Sequence, residues 1–212
     1  KNTIANLRNG STNSSTLSAN IGRIIGISLG GVNEIVDNTI YNLTISNANT
    51  NTNENGSISG ISCSSTSGTK KIWRNTIYNL SNTHASFSGN VTGIYGSTTT
   101  TGWQSAEIIS NFIYGLSVTG ANSTTARIYG INLAQGRNNC YNNVIHLGGD
   151  TRTEIFGISE TGSSVNNNIY FNTIYLSGTA PSGATNRSYA LFSNASATIR
   201  DFRNNILFNA RS

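Results

Sequence analysis

A short phrase that recurs along the whole chain constrains the fold more than any other feature of the sequence. It consists of an apolar residue, two further residues, an asparagine, one more residue and a second apolar residue, usually isoleucine. The asparagines of its six complete copies, 29 to 37 residues apart, are Asn38, Asn75, Asn111, Asn143, Asn172 and Asn205. A repeat of this length is typical of solenoids, in which each copy forms one turn that stacks on the next.

A second phrase lies midway between the copies of the first and is centred on glycine. Its first copy reads Ile24-Ile25-Gly26-Ile27, and later copies occupy residues 58–61, 91–94, 128–131 and 155–158, with a degraded copy at 188–191. Both phrases are rich in β-branched residues and bounded by Gly, Asn and Ser, which favours strands. No segment has the 3.6-residue apolar spacing that a helix of about ten residues needs. We expect the glycine to mark a bend or a close approach of the backbone.

Parallel stacking fits the repeat better than hairpins do. Two-residue hairpin turns favour Asn-Gly or Asp-Gly, and the chain has such pairs only at Asn9-Gly10 and Asn55-Gly56, which do not recur. The sequence therefore predicts an all-β fold, a right-handed parallel β-helix (β-solenoid) of about six coils of 29–37 residues. We expect one domain over residues 1–212, which is either a segment of a longer protein or has ends that stack on other copies.

The phase of the repeat assigns a ladder and a core. The six asparagines should share one corner, where each side-chain amide donates to one neighbour and accepts from the other. Asparagine also tolerates the left-handed backbone that a sharp corner needs. The apolar residues three before and two after each asparagine should fill the interior, each contributing roughly 1.5–3 kcal/mol when buried. The 25 Ile and 11 Leu suffice for such a core, although Asn, Ser and Thr make up 88 of the 212 residues.

The two phrases resemble those of right-handed parallel β-helix proteins, the pectate-lyase-like fold. The matching motifs are the repeated I-x-x-N-x-I and I-x-G-I, over nearly the whole chain. More narrowly, NNVIHL and FNTIYLSG look like repeats of secreted β-helix proteins of bacterial surfaces. The resemblance implies an extracellular or cell-surface location. It does not fix an activity, because the family includes lyases, hydrolases, epimerases, tailspikes and adhesins.

The acidic residues do not form the clusters that enzymes of this fold use. The resemblance implies several carboxylates on one strand face for a calcium-dependent lyase and a cluster of Asp for a hydrolase. The chain has three Asp and five Glu. Among the glutamates, Glu34 and Glu107 share a phase but lie two coils apart, about 10 Å by strand spacing. We therefore predict no enzymatic activity, no catalytic residue, no metal site and no cofactor.

Charge and hydropathy exclude further classes of protein. The net charge of +5 is spread along the chain, whereas nucleic-acid binders cluster their basic residues. No run of about 18 apolar residues occurs, so no helical membrane insertion is expected. Cys63 and Cys140 are 77 residues apart and fit no metal or redox motif. Cys140 replaces an isoleucine of the first phrase and should be a buried small hydrophobe, and nothing in the sequence supports a disulfide between the two.

Two mostly aromatic columns flank the asparagine corner. Three residues after each asparagine the chain carries Tyr41, Tyr78, Tyr114, His146, Tyr175 and Phe208. Two residues before each asparagine it carries Val36, Trp73, Ile109, Tyr141, Tyr170 and Arg203. Strand alternation should turn both columns outward when the isoleucines point inward. The rings either stabilise neighbouring strands by stacking or form an interaction face for a partner chain or for sugar rings.

These features together predict a non-enzymatic structural or adhesive element of a bacterial surface or an extracellular fibre. Its expected partners are copies of itself or flanking solenoid coils, together with surface glycans. The alternative is a carbohydrate-binding or carbohydrate-active, polysaccharide lyase-like β-helix. Sugar bound along the Tyr and Trp columns would favour the alternative.

Overall fold

The described secondary structure consists of β-strands that form three parallel sheets around a common interior. The computed structural model describes residues 1–11, 22–31, 33–65, 68–98, 105–119, 124–162, 166–181, 187–194 and 200–212. Within these ranges no helix has the length and apolarity needed to cross a membrane.

The glycine phrase forms one sheet, and the asparagine phrase forms the other two, one on each side of the asparagine. Sheet 1 carries the glycine phrase and consists of β3 (Ile24–Leu29), β6 (Ile58–Ser65), β9 (Asn90–Thr98), β12 (Arg127–Gln135), β15 (Glu154–Glu160) and β18 (Ser188–Ser193). Sheet 2 precedes the asparagine and consists of β4 (Asn33–Val36), β7 (Lys70–Trp73), β10 (Ser105–Ile109), β13 (Arg137–Tyr141), β16 (Asn168–Tyr170) and β19 (Asp201–Arg203). Sheet 3 follows the asparagine and consists of β1 (Thr3–Ala5), β5 (Thr39–Ile45), β8 (Thr76–Asn82), β11 (Phe112–Val118), β14 (Val144–Leu147), β17 (Thr173–Leu176) and β20 (Ile206–Asn209), with β2 (Arg8–Asn9) beside β5.

Each strand pairs in parallel with its counterpart one coil later, which confirms the predicted parallel β-helix. The register follows the repeat, since Ile77 of β8 pairs with Ile40 on one side and Ile113 on the other. From β5 to β20 the chain makes about five turns. This is slightly fewer than the six coils expected, because six stacked strands enclose only five complete intervals.

Isoleucine fills the interior, as the repeat predicts. Ile40, Ile77, Ile113 and Ile145 are fully buried, and Ile residues of sheets 1 and 2 complete the same cluster. The last coil is the exception, with Leu207 44% exposed. Cys140 takes its predicted place in the core, paired with Ile108 and Ile169. Both cysteines are free thiols. Burial raises the pKa of Cys63 to about 11 and that of Cys140 to about 12, so both stay protonated at neutral pH.

The asparagine ladder is continuous at the corner between sheets 2 and 3. The backbone N–H and the side-chain Nδ2 of each asparagine from Asn38 to Asn172 donate to Oδ1 of the asparagine one coil later, at 2.9–3.1 Å. Nδ2 also donates backwards to a carbonyl of the preceding coil, as from Asn111 to Ile72 at 2.8 Å. Each side chain therefore connects three coils.

The left-handed residue of this corner is not the ladder asparagine, so that part of the prediction is wrong. The positive φ angles, 53° to 59°, belong to the residue before it, namely Asp37, Arg74, Ser110, Asn142, Phe171 and Asn204. The ladder asparagine needs its amide and its N–H aligned with the next coil. The preceding residue therefore makes the sharp change of direction, whatever its side chain.

Replacing Ser110 by glycine should stabilise the fold by up to about 1 kcal/mol. A left-handed residue other than glycine costs about 1–2 kcal/mol, and the extra backbone entropy of glycine offsets about 0.5–1 kcal/mol of the gain. Ser110 is exposed with φ of 55°, so little else changes. The matched control is Ser117→Gly in β11, which should destabilise. Urea unfolding followed by circular dichroism measures the free energy of unfolding of both variants. Equal changes would contradict the assignment of the left-handed conformation to Ser110.

The glycine column marks a close approach of sheet 1 to its neighbours. A Cβ built on Gly130 would lie 2.6 Å from the Gly157 carbonyl oxygen and 2.7 Å from Cγ2 of Ile145. Gly60, Gly93 and Gly157 have the same surroundings. The degraded copy has Ala190 here, and β18 is the last strand of sheet 1 among the described residues, so no further strand of that sheet stacks on it.

Gly130→Ala should therefore destabilise the protein by about 1–3 kcal/mol, the usual cost of overpacking. Gly10→Ala is the control, because a Cβ there would have no atom within 4 Å. Thermal unfolding distinguishes the two. An unfolding temperature of Gly130→Ala equal to that of the wild type would show that the backbone of sheet 1 is not held close to Ile145.

Candidate binding cleft

The first predicted aromatic column lies on the outer surface of sheet 3. Tyr41, Tyr78 and Tyr114 stack with centroids 4.8 and 4.9 Å apart and ring planes within 1°. Further along, Tyr175 stacks on Phe208 at 5.5 Å. Because the rings stack along the solenoid axis, they cover each other's faces inside a stack. This geometry stabilises neighbouring strands.

The second predicted column, on sheet 2, is arranged differently. Lys71 Nζ lies 5.0 Å from the ring centroid of Trp73, and the guanidinium of Arg203 lies 4.7 Å from that of Tyr170. Tyr141, which belongs to a coil between those of Trp73 and Tyr170, is half-buried. Cations thus contact ring faces here, in the manner of cation–π pairs. The predicted interaction face is divided between a stacked column and a column paired with cations.

A cleft that the sequence reasoning missed lies on the outer surface of sheet 1. Tyr129, Phe156 and Tyr189 are successive cross-strand partners, with ring centroids 4.8 and 5.3 Å apart. Phe192 packs edge-on against Phe156 at 5.4 Å. These rings line a cavity of about 190 Å³. Its other lining residues are Arg127, Glu154, Ser159, Thr161, Arg187 and Asn194.

One rim of the cleft carries two arginines that share one carboxylate. Arg127 Nε lies 2.9 Å from Oε2 of Glu154, and Arg187 Nε lies 2.8 Å from Oε1. The Glu154 side chain is 6% exposed, whereas those of Arg127 and Arg187 are 41% and 66% exposed. The hydrogen bond to Glu154 raises the pKa of Arg187. The group has a net charge of +1, and its guanidinium groups face the cleft and the solvent.

Two buried polar atoms, each five residues along its strand from this rim, have no hydrogen-bond partner among the described residues. They are Oγ of Ser159, which is fully buried and lines the cavity, and Oδ1 of Asn132, in a residue only 5% exposed. The two residues are cross-strand neighbours in β12 and β15. A buried polar atom without a partner costs about 1–3 kcal/mol. The unpartnered hydroxyl of Ser159, the one of the two that lines the cavity, therefore indicates a place that a ligand or solvent completes.

Burial also sets the state of the tyrosine hydroxyl in the cleft. Burial raises the pKa of Tyr129 above its ordinary value, and the neighbouring Arg127 opposes that shift. The phenol therefore remains protonated at neutral pH. A protonated phenol offers both a donor and an acceptor to a bound molecule.

The sequence did contain a signal for this cleft. The second residue of the glycine phrase is Ile, Ser or Thr in the first three coils and becomes Tyr129, Phe156 and Tyr189 in the last three. That change of residue type marks the outer surface of sheet 1 at one end of the solenoid. Arg127, Glu154 and Arg187 directly precede the same three copies of the phrase, so the sequence also placed a carboxylate between two arginines at one phase.

Among the described residues, five of the eight Asp and Glu side chains form salt bridges with basic residues. Glu34 and Glu107, the two glutamates of equal phase, flank Lys71, which donates to Glu34 at 2.7 Å. Glu160 is fully buried and receives a hydrogen bond from Arg200. Within the described ranges, no three His, Cys, Asp or Glu side chains come together.

The parallel sheets, the isoleucine core and the asparagine ladder define the chain as a parallel β-solenoid. No protein-family model matches the sequence, and neither the comparison with curated proteins nor the comparison with solved structures finds a match. The arguments on function therefore rest on the geometry of this chain.

Proposed function

We propose that this chain is an extracellular, non-enzymatic, adhesive β-solenoid of the pectate-lyase-like type, which binds a surface glycan in the cleft on sheet 1. One observation carries the proposal. A single cavity is lined by stacked rings, two arginines and Ser159, whose buried hydroxyl has no partner among the described residues.

Carbohydrates match this combination of groups. A pyranose ring has an apolar face that packs against an aromatic ring, here Tyr189, the partly exposed last ring of the stack. One of its hydroxyl groups can donate to Oγ of Ser159, which lines the cavity and lacks a partner among the described residues. The guanidinium groups of Arg127 and Arg187 can donate to sugar oxygens on the opposite rim.

The fold supports an adhesive role because it presents the cleft on a stiff support. The cleft spans three successive strands, β12, β15 and β18, whose positions are fixed by paired backbones. On the opposite side of each coil the asparagine ladder ties the same coils together. Binding residues on strands are held more precisely than residues on loops. Copies of the chain or flanking solenoid coils are the other proposed partners, which sedimentation of the purified chain tests.

Glycan-array screening of the labelled chain, followed by calorimetry on the glycans it retains, tests the proposal. We expect Ser159→Ala to weaken glycan binding about 5- to 10-fold, the effect of one hydrogen bond. Ser62→Ala is the matched control, since Ser62 is buried in sheet 1 but does not line the cleft. No retained glycan, or equal binding by Ser159→Ala, would contradict the proposal.

The carbohydrate-active alternative predicts a different result on the same glycans. Arginines beside a cleft could act on a polysaccharide, so the retained glycans are incubated with the chain. We expect no new reducing ends and no unsaturated products. Their appearance, and their loss in Arg127→Ala, would replace adhesion with catalysis.

A further inference from the structure

The ring column of sheet 3 is interrupted at one step. Tyr114 and His146 are backbone partners in β11 and β14, yet their rings make no contact among the described residues. On either side the rings do meet, Tyr78 with Tyr114 at 4.9 Å and His146 with Tyr175 at 5.0 Å. His146 is turned so that Nε2 lies 3.4 Å from Oγ of Ser177.

The interruption coincides with a narrowing of the sheet. Strand β11 pairs with β8 as far as Val118, but it pairs with the shorter β14 only as far as Tyr114. Beyond β14 the chain turns away through Gly148 and Gly149, where φ is +104° at Gly149. A notch of about 320 Å³ lies at this step. It is lined by Tyr114, Gly115, His146, Leu147, Gly148, Gly149 and Ser177.

Gly115 contributes to the open space. In the two preceding coils the same left-handed position holds Asn42 and Asn79, whose side chains are hydrogen-bonded to each other at 3.2 Å. This row of hydrogen-bonded exposed asparagines stops at Gly115, where φ is +66°. Gly115 has no side chain to add to the lining of the notch, and a Cβ built on it would lie 2.8 Å from Oδ1 of Asn79.

The lining of the notch is neutral and suits one kind of ligand. It contains an aromatic ring, an imidazole, a hydroxyl and an aliphatic side chain, and none of its lining residues is Asp, Glu, Lys or Arg. Its volume is at the low end of ligand pockets, about 300–1,000 Å³. A sugar ring without charged groups offers an apolar face for the ring and hydroxyls for the polar side chains.

We infer that this notch is a second binding site, which takes one neutral pyranose ring against Tyr114 with hydroxyls hydrogen-bonded to His146 and Ser177. The site lies on sheet 3, whereas the cleft described above lies on sheet 1. The notch also differs chemically from that cleft, because no Lys or Arg lines it. Sugar binding in the notch should therefore not depend on ionic strength.

Histidine NMR tests this inference directly. The chain has only two histidines, His84 and His146, and His146→Gln assigns their imidazole signals. The labelled chain is titrated with methyl glucoside, methyl galactoside, methyl mannoside and N-acetylglucosamine. We expect one of them to shift the His146 signals with a dissociation constant on the order of 1 mM, and His84 to stay unchanged.

Two variants keep the test falsifiable. Gly115→Asn adds a side chain that the two preceding coils already hold in this conformation. Its Cβ requires Oδ1 of Asn79, 2.8 Å away, to move aside, and with that small shift the fold should persist while the sugar response is lost. Tyr114→Ala should weaken binding at least about tenfold, whereas Tyr41→Ala, at the far end of the stack, should not. An unresponsive His146 with all four sugars, or a normal response in Gly115→Asn, would overturn the inference.

The same titration separates this site from the cleft on sheet 1. Ser159→Ala should leave the His146 response intact. Gly115→Asn should leave unchanged the binding of any glycan that depends on Ser159. Failure of either site can therefore be recognised independently of the other.

Discussion

Asn111→Ala is expected to destabilise the protein by about 3–5 kcal/mol. Asn111 is almost fully buried, and its Oδ1 accepts from both the backbone N–H and Nδ2 of Asn75 at 3.0 Å. Removing the side chain leaves the Asn75 N–H and one hydrogen of its Nδ2 without a partner, and it takes one donor each from Asn143 Oδ1 and the Ile72 carbonyl. Each buried polar group left without a partner costs about 1–3 kcal/mol. Urea unfolding followed by circular dichroism measures the loss.

Asn139, an asparagine within sheet 2 and outside the corner, provides the control for the ladder. Asn139 accepts a single hydrogen bond from Asn168 at a partly exposed site, so Asn139→Ala should cost no more than about 1 kcal/mol. Equal losses from Asn111→Ala and Asn139→Ala would show that the corner is not held by its ladder. A loss confined to Asn111→Ala would assign the stability to the buried amides.

Glu160→Ala is expected to have a comparable effect, about 3–5 kcal/mol, although its cause is different. Glu160 occupies an interior column of sheet 1 beside Leu133, and its side chain has no exposed surface. Its carboxylate accepts from Arg200 Nε at 2.7 Å, Ser193 Oγ at 3.0 Å and Asn167 Nδ2 at 3.0 Å. Removing one partner of a buried ion pair leaves uncompensated polar groups behind.

Two comparisons show which part of this network matters. Glu160→Leu gives the column the side chain that Leu133 already has there, so it should cost less than Glu160→Ala, because it fills the cavity. Glu34→Ala breaks an exposed pair with Lys71, and pairs of that kind contribute little. Thermal unfolding ranks the three variants. A Glu160→Ala protein as stable as Glu34→Ala would show that the buried carboxylate is not part of the stabilising network.

The repeat predicted those parts of the structure that depend on residue type. The asparagine ladder needs an amide in every coil, and the core needs an apolar side chain at fixed distances from it, so both left a column in the sequence. The left-handed corner needs only a backbone conformation, which stacking imposes on Asp37, Arg74 and Phe171 alike. Such a position leaves no column of similar residues and could not be read from the sequence.

The candidate sites illustrate the same limit. The aromatic columns were predicted because their residues recur at one phase. The cleft on sheet 1 depends on single residues in particular coils, such as Ser159 and Glu154, and on neighbours brought together by stacking. The notch beside Tyr114 depends on what one coil lacks, a side chain at Gly115. A residue that breaks a repeat is a weaker signal in a sequence than a residue that follows it. Both candidate sites nevertheless depend on residues that break the repeat.

Paired measurements on Ser159→Ala test the proposed glycan-binding function most directly. The hydroxyl of Ser159 is buried with no partner among the described residues, so its removal should leave the unfolding free energy unchanged or slightly higher. The same variant should bind the retained glycan about 5- to 10-fold more weakly in calorimetry. Unchanged stability with weakened binding would identify the atom as a ligand contact. Lost stability with unchanged binding would contradict that role and make the cleft a structural feature of the sheet.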